Sequence, residues 1–174
     1  YRVGKVNFYT NYGFNHGINA NNGYVDSERT NQENRQDFNF RNKNNSHLLK
    51  LGMDYYINEK NTLSAYTNQS FTYGSGTGLT TVVYDDAITN RNTTQLFGSN
   101  GNNKNQTYDM VLKHDFEKKD ENLELQLNYS HTVNDENTLY DETILNPSES
   151  FERRNIVKGT TDYFQFNADY VNPI

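Results

Sequence analysis

Tyr108-Asp109-Met110-Val111-Leu112-Lys113-His114-Asp115-Phe116, then Glu117-Lys118-Lys119-Asp120-Glu121, then Asn122-Leu123-Glu124-Leu125-Gln126-Leu127-Asn128-Tyr129-Ser130: two alternating runs flank one short charged turn. A period of two places one side-chain set on each face of a strand. A polar connection this short joins two such strands as a hairpin. Phe116 facing Leu123 sets His114 beside Leu125, Leu112 beside Leu127 and Met110 beside Tyr129. Glu124, Gln126 and Asn128 then share the other face with Lys113 and Asp115.

The same figure recurs on both sides of this stretch. In His47–Ile57, the residues Leu49, Leu51, Met53, Tyr55 and Ile57 make one face against Lys50, Gly52 and Asp54. Asn58-Glu59-Lys60-Asn61 is the turn, and Leu63–Tyr73 returns with Leu63, Ala65, Phe71 and Tyr73 in phase. Ile57 facing Leu63 brings Tyr55 to Ala65 and Leu49 to Phe71, so both apolar sets point the same way. Val6–Phe14 and Tyr163–Tyr170, the latter carrying Phe164, Phe166, Ala168 and Tyr170, are the outer strand candidates. Stretches rich in Asn, Gly, Ser and Thr, about 15–45, 74–106 and 134–160, read as long loops. Within them, Gln36–Phe40 offers a strand extension, and Thr80–Tyr84 with Thr93–Phe97 an external hairpin.

Strands of membrane-crossing length, short turns at one end and long segments at the other are the pattern of a transmembrane β-barrel. The expected fold is all-β: an antiparallel up-and-down transmembrane β-barrel segment of about six long strands, with short periplasmic turns and long extracellular loops. Composition agrees. The chain is 33% hydrophobic with a mean hydropathy of −1.02, too polar for an ordinary buried core. A barrel strand commits only alternate residues to lipid, so low hydropathy suits it. Fourteen Tyr and ten Phe argue against disorder, which depletes aromatics. The net charge is −6 and no basic, aromatic-interleaved stripe occurs, so no nucleic-acid partner is expected. With no Cys, disulfides and thiolate metal sites are unavailable. The chain starts at Tyr1 without Met, and Tyr170–Ile174 runs into a cut turn. Residues 1–174 are therefore expected to be a partial outer-membrane β-barrel domain, with a plug and further strands elsewhere.

Leu49, Leu51, Met53, Leu63, Met110, Leu112, Leu125, Leu127, Phe164 and Phe166 are the expected lipid-facing residues. Tyr55, Tyr56, Phe116 and Tyr170 adjoin short turns, whereas Tyr12, Phe14, Phe71, Tyr73, Tyr108 and Tyr129 adjoin long segments. Of these, Tyr55, Phe71, Tyr73, Tyr108, Phe116, Tyr129 and Tyr170 are the expected interface aromatics. Tyr and Phe favour strands in general, but Leu, Met, Ala and Thr hold the middle positions, as two interfacial belts require.

No catalytic constellation emerges. Gly74–Gly78 lacks the Lys-Ser/Thr of a phosphate loop. His16, His47, His114 and His131 are scattered, and neither Asp85-Asp86 nor Asp141-Glu142 has calcium-loop spacing. Asn44-Asn45-Ser46 and Asn92-Thr93-Thr94 match the glycosylation pattern at a rate that abundant Asn explains by chance. Neither an enzyme activity nor a cofactor or metal is expected.

Gly52-Met53-Asp54-Tyr55-Tyr56-Ile57-Asn58-Glu59-Lys60-Asn61-Thr62-Leu63 resembles the strand-turn-strand phrase G-x-D-Y-x-I-N-x-K-x-T-L of barrels in TonB-dependent outer-membrane receptors. Asp169-Tyr170-Val171-Asn172-Pro173-Ile174 is similar to the D-Y-x-N-P element that closes a strand before the next turn. The resemblance implies the outer membrane of a Gram-negative bacterium and energy-dependent uptake of a scarce nutrient: an iron chelate, a vitamin or a glycan. It further implies ligand contacts in the long segments and on the lumen face, and coupling to an inner-membrane complex through the plug. The alternatives are a passive porin or adhesin barrel and, from a different class, a soluble β-sandwich module binding glycan through Tyr and Asn. A barrel segment made alone is expected to self-associate through its strand edges.

Overall fold

The computed structural model describes residues 2–29, 32–85, 92–145 and 148–173. They form one antiparallel sheet whose seven strands lie side by side in chain order. β1 (Arg2–Val3) is a stub turned onto β2 through Gly4, whose φ of 57° is left-handed. Six long strands follow: β2 (Val6–Arg29), β3 (Gln32–Asn58), β4 (Asn61–Asp85), β5 (Thr93–Asp115), β6 (Asn122–Leu145) and β7 (Ser148–Val171). Each pairs with the next along nearly its whole length.

The six up-and-down strands match the sequence reading, but their lengths do not. In the stretches 15–45, 74–106 and 134–160, expected as loops, the strands continue to Arg29, Asp85 and Leu145 and restart at Gln32, Thr93 and Ser148. The hairpin between 80–84 and 93–97 is present, with Thr80 opposite Gln95 and Val82 opposite Thr93. β3 alone has 27 residues, a contour of about 90 Å at strand rise. A membrane crossing uses only about 9–11 of them. The reason is physical: alternation in sequence records burial, whereas a ladder is held by backbone hydrogen bonds that any residue but Pro supplies. Asn opposite Asn and Thr opposite Gln make strand as well as Leu opposite Leu.

Both expected hairpin registers are off by two residues. Tyr55 faces Leu63 instead of Ala65, and Leu49 faces Gln69 instead of Phe71. Likewise His114 faces Leu123, Leu112 faces Leu125 and Met110 faces Leu127, so Phe116 lies outside the ladder. A slip of two keeps every side chain on its face, which is why the faces were right when the partners were wrong. The turns explain the slips. Asn58 pairs with Asn61 around Glu59-Lys60, and its Oδ1 accepts from the Lys60 backbone N–H at 3.0 Å and the Asn61 amide at 2.8 Å. Continued unbroken, that tight turn would set odd residues of β3 against even residues of β4, apolar against polar. A bulge at Ile57 absorbs one residue and restores the match from Tyr56–Thr62 onward. In the β5–β6 connection the Phe116 N–H donates to the Glu121 carbonyl at 3.0 Å, with Asp120 at φ 63°.

Candidate functional site: two faces of one sheet

Following the pairing across the sheet sorts every side chain. One register row reads Phe8, Met53, Ala65, Met110, Leu127, Phe166; the next reads Thr10, Leu51, Thr67, Tyr108, Tyr129, Phe164. Leu49, Leu63, Leu112 and Leu125 lie on this same face, so all ten residues singled out from sequence share it. Val6, Phe8, Tyr12, Phe14, Leu123 and Ala168 join them, having gone unselected although their parity already gave their place. Six strands thus build one continuous apolar band near the short turns, with a trough of about 530 Å³ along it between Phe8, Met53, Ala65, Met110, Leu127 and Phe164.

The aromatics cluster at the edges of that band. Tyr108 stacks on Tyr129 at 6.2 Å between centroids, while Phe116 meets Tyr170 at 6.0 Å and His114 at 4.5 Å, both edge-on. Phe71 and Tyr73 lie on the same face above, and Tyr55 lies below, beside Leu63. Tyr56 departs from the belt, because its pairing with Thr62 puts it on the opposite face. The histidines are dispersed along the sheet. His47 accepts or donates to Tyr12 Oη at 2.8 Å, His16 touches Asn45, His114 touches Asn61, and His131 reaches Asp162 at 2.7 Å. Among the described residues no three of His, Cys, Asp or Glu gather in a metal-holding group. The Asp85-Asp86 pair lies outside the residues whose side chains are described.

The opposite face is polar and knitted together. Asp54 accepts from Asn7 at 3.2 Å and from Ser64 at 2.8 Å; Asp109 accepts from Asn128 at 2.6 Å. Asn68 donates to Thr107, Asn105 to Thr132 and Asn167 to Gln126. Tyr9 lies flat over Gly52, where a Cβ would fall 2.1 Å from the ring; only glycine leaves that space. Farther from the short turns, this face carries an aromatic row that sequence reading missed. Phe40 and Phe97 close over Gly78 at 5.6 Å between centroids, Tyr140 stacks on Phe97, and Arg153 covers Tyr140 at 4.7 Å. Alternation in Phe38-Asn39-Phe40 was the available signal. Between the two zones lies a polar groove of about 420 Å³ lined by Asn42, Thr72, Ser99, Asn103, Asn134 and Glu136.

Exposure differs between the two faces. Along β5, Tyr108, Met110 and Leu112 are 46%, 47% and 37% exposed, while the carboxylate Asp109 between them is 9% exposed. No hydrophobic side chain is buried among the described residues. That is the reverse of a water-soluble sheet, and among the described residues no second sheet covers the apolar side, as a sandwich would need. Hydrocarbon outside and polar groups inside is the arrangement of a membrane barrel wall.

The comparisons with known proteins agree. Residues 114–174, comprising β6, β7 and the turn before them, match the outer membrane protein beta-barrel family. The fold is that of an outer-membrane β-barrel. Its place is the outer membrane, and the sheet is an open array of barrel strands whose ends are not joined. No curated protein matches the sequence. Among solved structures, the cryo-electron microscopy structure of the membrane pore complex of pneumolysin is similar at 10% identity and a TM-score of 0.17. That likeness covers 97% of this chain and 32% of the pore protein, and at such a score it carries no argument.

Proposed function

We propose that this chain forms wall strands of an outer-membrane receptor that imports a scarce nutrient, an iron chelate, a vitamin or a glycan. The observation that carries the proposal is the inversion of exposure across one sheet, combined with strands that outrun the bilayer. In this reading, Leu49, Leu51, Met53, Leu63, Met110, Leu112, Leu125, Leu127, Phe164 and Phe166 face lipid. Tyr55, Phe71, Tyr73, Tyr108, Phe116, Tyr129 and Tyr170 lie at its two interfaces. The short turns are periplasmic and the long strand extensions stand outside the cell. The lumen side of those extensions carries the polar groove and the aromatic row, surfaces suited to a ligand that offers both hydroxyl or carbonyl groups and flat apolar ones. The phrases at Gly52–Leu63 and Asp169–Ile174 support the receptor class over a passive pore. Energy would reach the barrel from an inner-membrane complex through a plug. Chemistry is not expected of it, since outer-membrane barrels in general are not enzymes.

The test shortens the β4–β5 hairpin in the full-length protein. Gly76 pairs with Ser99, so replacing residues 77–98 by Asn-Gly leaves a geometry suited to a type I′ turn. Cells dependent on one nutrient at a time (a ferric siderophore, cobalamin or an oligosaccharide) should lose growth on one of them while the variant still migrates as a heat-modifiable barrel. Wild-type growth on every nutrient that the intact gene supports would refute the receptor role of the extensions.

A further inference from the structure

Charge on the lipid-side face is not mixed but sorted by height. Just beyond the aromatic edge of the apolar band stand Arg41 and Lys43 on β3, Lys104 on β5, and Arg154 and Lys158 on β7. Asp135 is the only acid among the described side chains of that zone. Nearer the far turns the sign reverses: among the described side chains, Asp26, Glu28, Glu33, Asp37, Asp141 and Glu152 share the face with one cation, Arg35, which is ion-paired to Asp37 at 3.3 Å. In a chain of net charge −6, a cationic zone at one level needs a cause. None of its five cations has a hydrogen bond or ion pair with the described residues, and all are exposed. Even Lys158, directly opposite Asp135 in register, makes no salt bridge with it.

The spacing is regular. The cations occupy alternate strands, about 10 Å apart at ordinary strand separation. Lys104 is paired with Phe71 and Val133, at the aromatic edge itself. Lys43 and Lys158 lie six residues past Leu49 and Phe164, about 20 Å along the strand. A lysine stem can reach back along the strand toward the apolar band. Unpaired basic groups at headgroup level attract anionic lipid.

We propose that Arg41, Lys43, Lys104, Arg154 and Lys158 form a collar that binds the phosphate groups of a phosphorylated glycolipid in the outer leaflet. The collar holds two or more phosphates across neighbouring strands while the acyl chains lie along the apolar band below. The proposal rests on the lipid assignment of that band.

The full-length protein in nanodiscs of zwitterionic lipid is titrated with diphosphoryl lipid A and with the same lipid stripped of both phosphates. Wild type should bind the phosphorylated form more tightly, with an affinity that falls as salt rises. Lys43→Gln/Lys104→Gln/Lys158→Gln should weaken it by roughly a hundredfold and leave the dephosphorylated form unaffected. The distal Arg35→Gln, in the acidic zone, should change neither. Should the triple variant not assemble, Lys104→Gln alone serves, with an expected loss of about fivefold. Equal affinity of wild type for the two lipids, or equal affinity of the folded variant and wild type, overturns the collar alone. Failure of the wild-type protein to enter nanodiscs at all overturns the collar and the lipid-facing band together.

Discussion

Leu125 lies between Leu112 and Ala168 on the apolar face, and its neighbour Gln126 lies between Val111 and Asn167 on the polar one. One step along the chain therefore changes the face, and in the proposed orientation the solvent. Leu125→Arg should impair barrel assembly by about 2–4 kcal/mol if the residue sits near the bilayer midplane, whereas Gln126→Arg stays on the polar face beside Asn167 and should be tolerated. The heat-modifiable fraction in purified outer membranes reports both, and equal yields would remove the lipid assignment. At the turns a different residue-scale effect operates. Glu117, in the β5–β6 connection and outside the membrane-spanning stretches, bonds to Lys60 in the β3–β4 turn. The Lys60 hydrogen bond, and then its charge, hold the Glu117 carboxyl below its ordinary range. A depressed carboxyl contributes stability above its unfolded value and loses that contribution as pH falls through the folded one. The carboxyl-carbon shift of Glu117 should thus titrate below a free glutamate, and Lys60→Gln should move it up. An unmoved midpoint would mean that the two turns are not linked in solution.

At the scale of the strand, the distal sheet and the membrane sheet are held by different means. The part near the short turns has a network of amides and carboxylates; the distal part leans on rings that fill the space above Gly78. Cross-strand aromatic pairs are each worth about 0.2–1 kcal/mol. Phe97→Ala should therefore speed amide exchange several-fold at 76–80 and 95–99 while leaving 63–67 as before; uniform acceleration, or none, would contradict this division. The same division governs what the sequence disclosed. Hairpins 47–73 and 108–130 were legible, with their faces, because one face of each is apolar and the period is two. Of the distal halves of β3 to β7, only Gln36–Phe40 and the hairpin of Thr80–Tyr84 with Thr93–Phe97 were legible; elsewhere nothing in the residue types alternates strongly. The exact partners were illegible for another reason: Leu63 and Ala65 are both apolar, so pattern alone accepts either opposite Tyr55. Turn geometry makes the choice. The lumen groove and the basic collar depend on residues far apart in the chain, and only the pairing of whole strands brings them level.

As a whole the molecule is an open sheet with an apolar side and two unfinished margins. β7 is exposed along nearly its entire length, and β2 is covered on its outer margin only by the stub of β1. Unpaired strand margins recruit whatever chain is near, and a bare apolar side of this extent does the same. Light scattering from the isolated chain should show mass that grows with concentration and falls when detergent is added. A detergent-independent monomer would be incompatible with a barrel wall. A last consequence follows from the single bulged residue at Ile57. It lacks a cross-strand partner, so a lost codon there would leave Asn58 opposite Asn61 and Tyr56 opposite Thr62, and every later strand would keep its present face. A change of length at this bend is taken up within the bulge instead of being passed down the sheet.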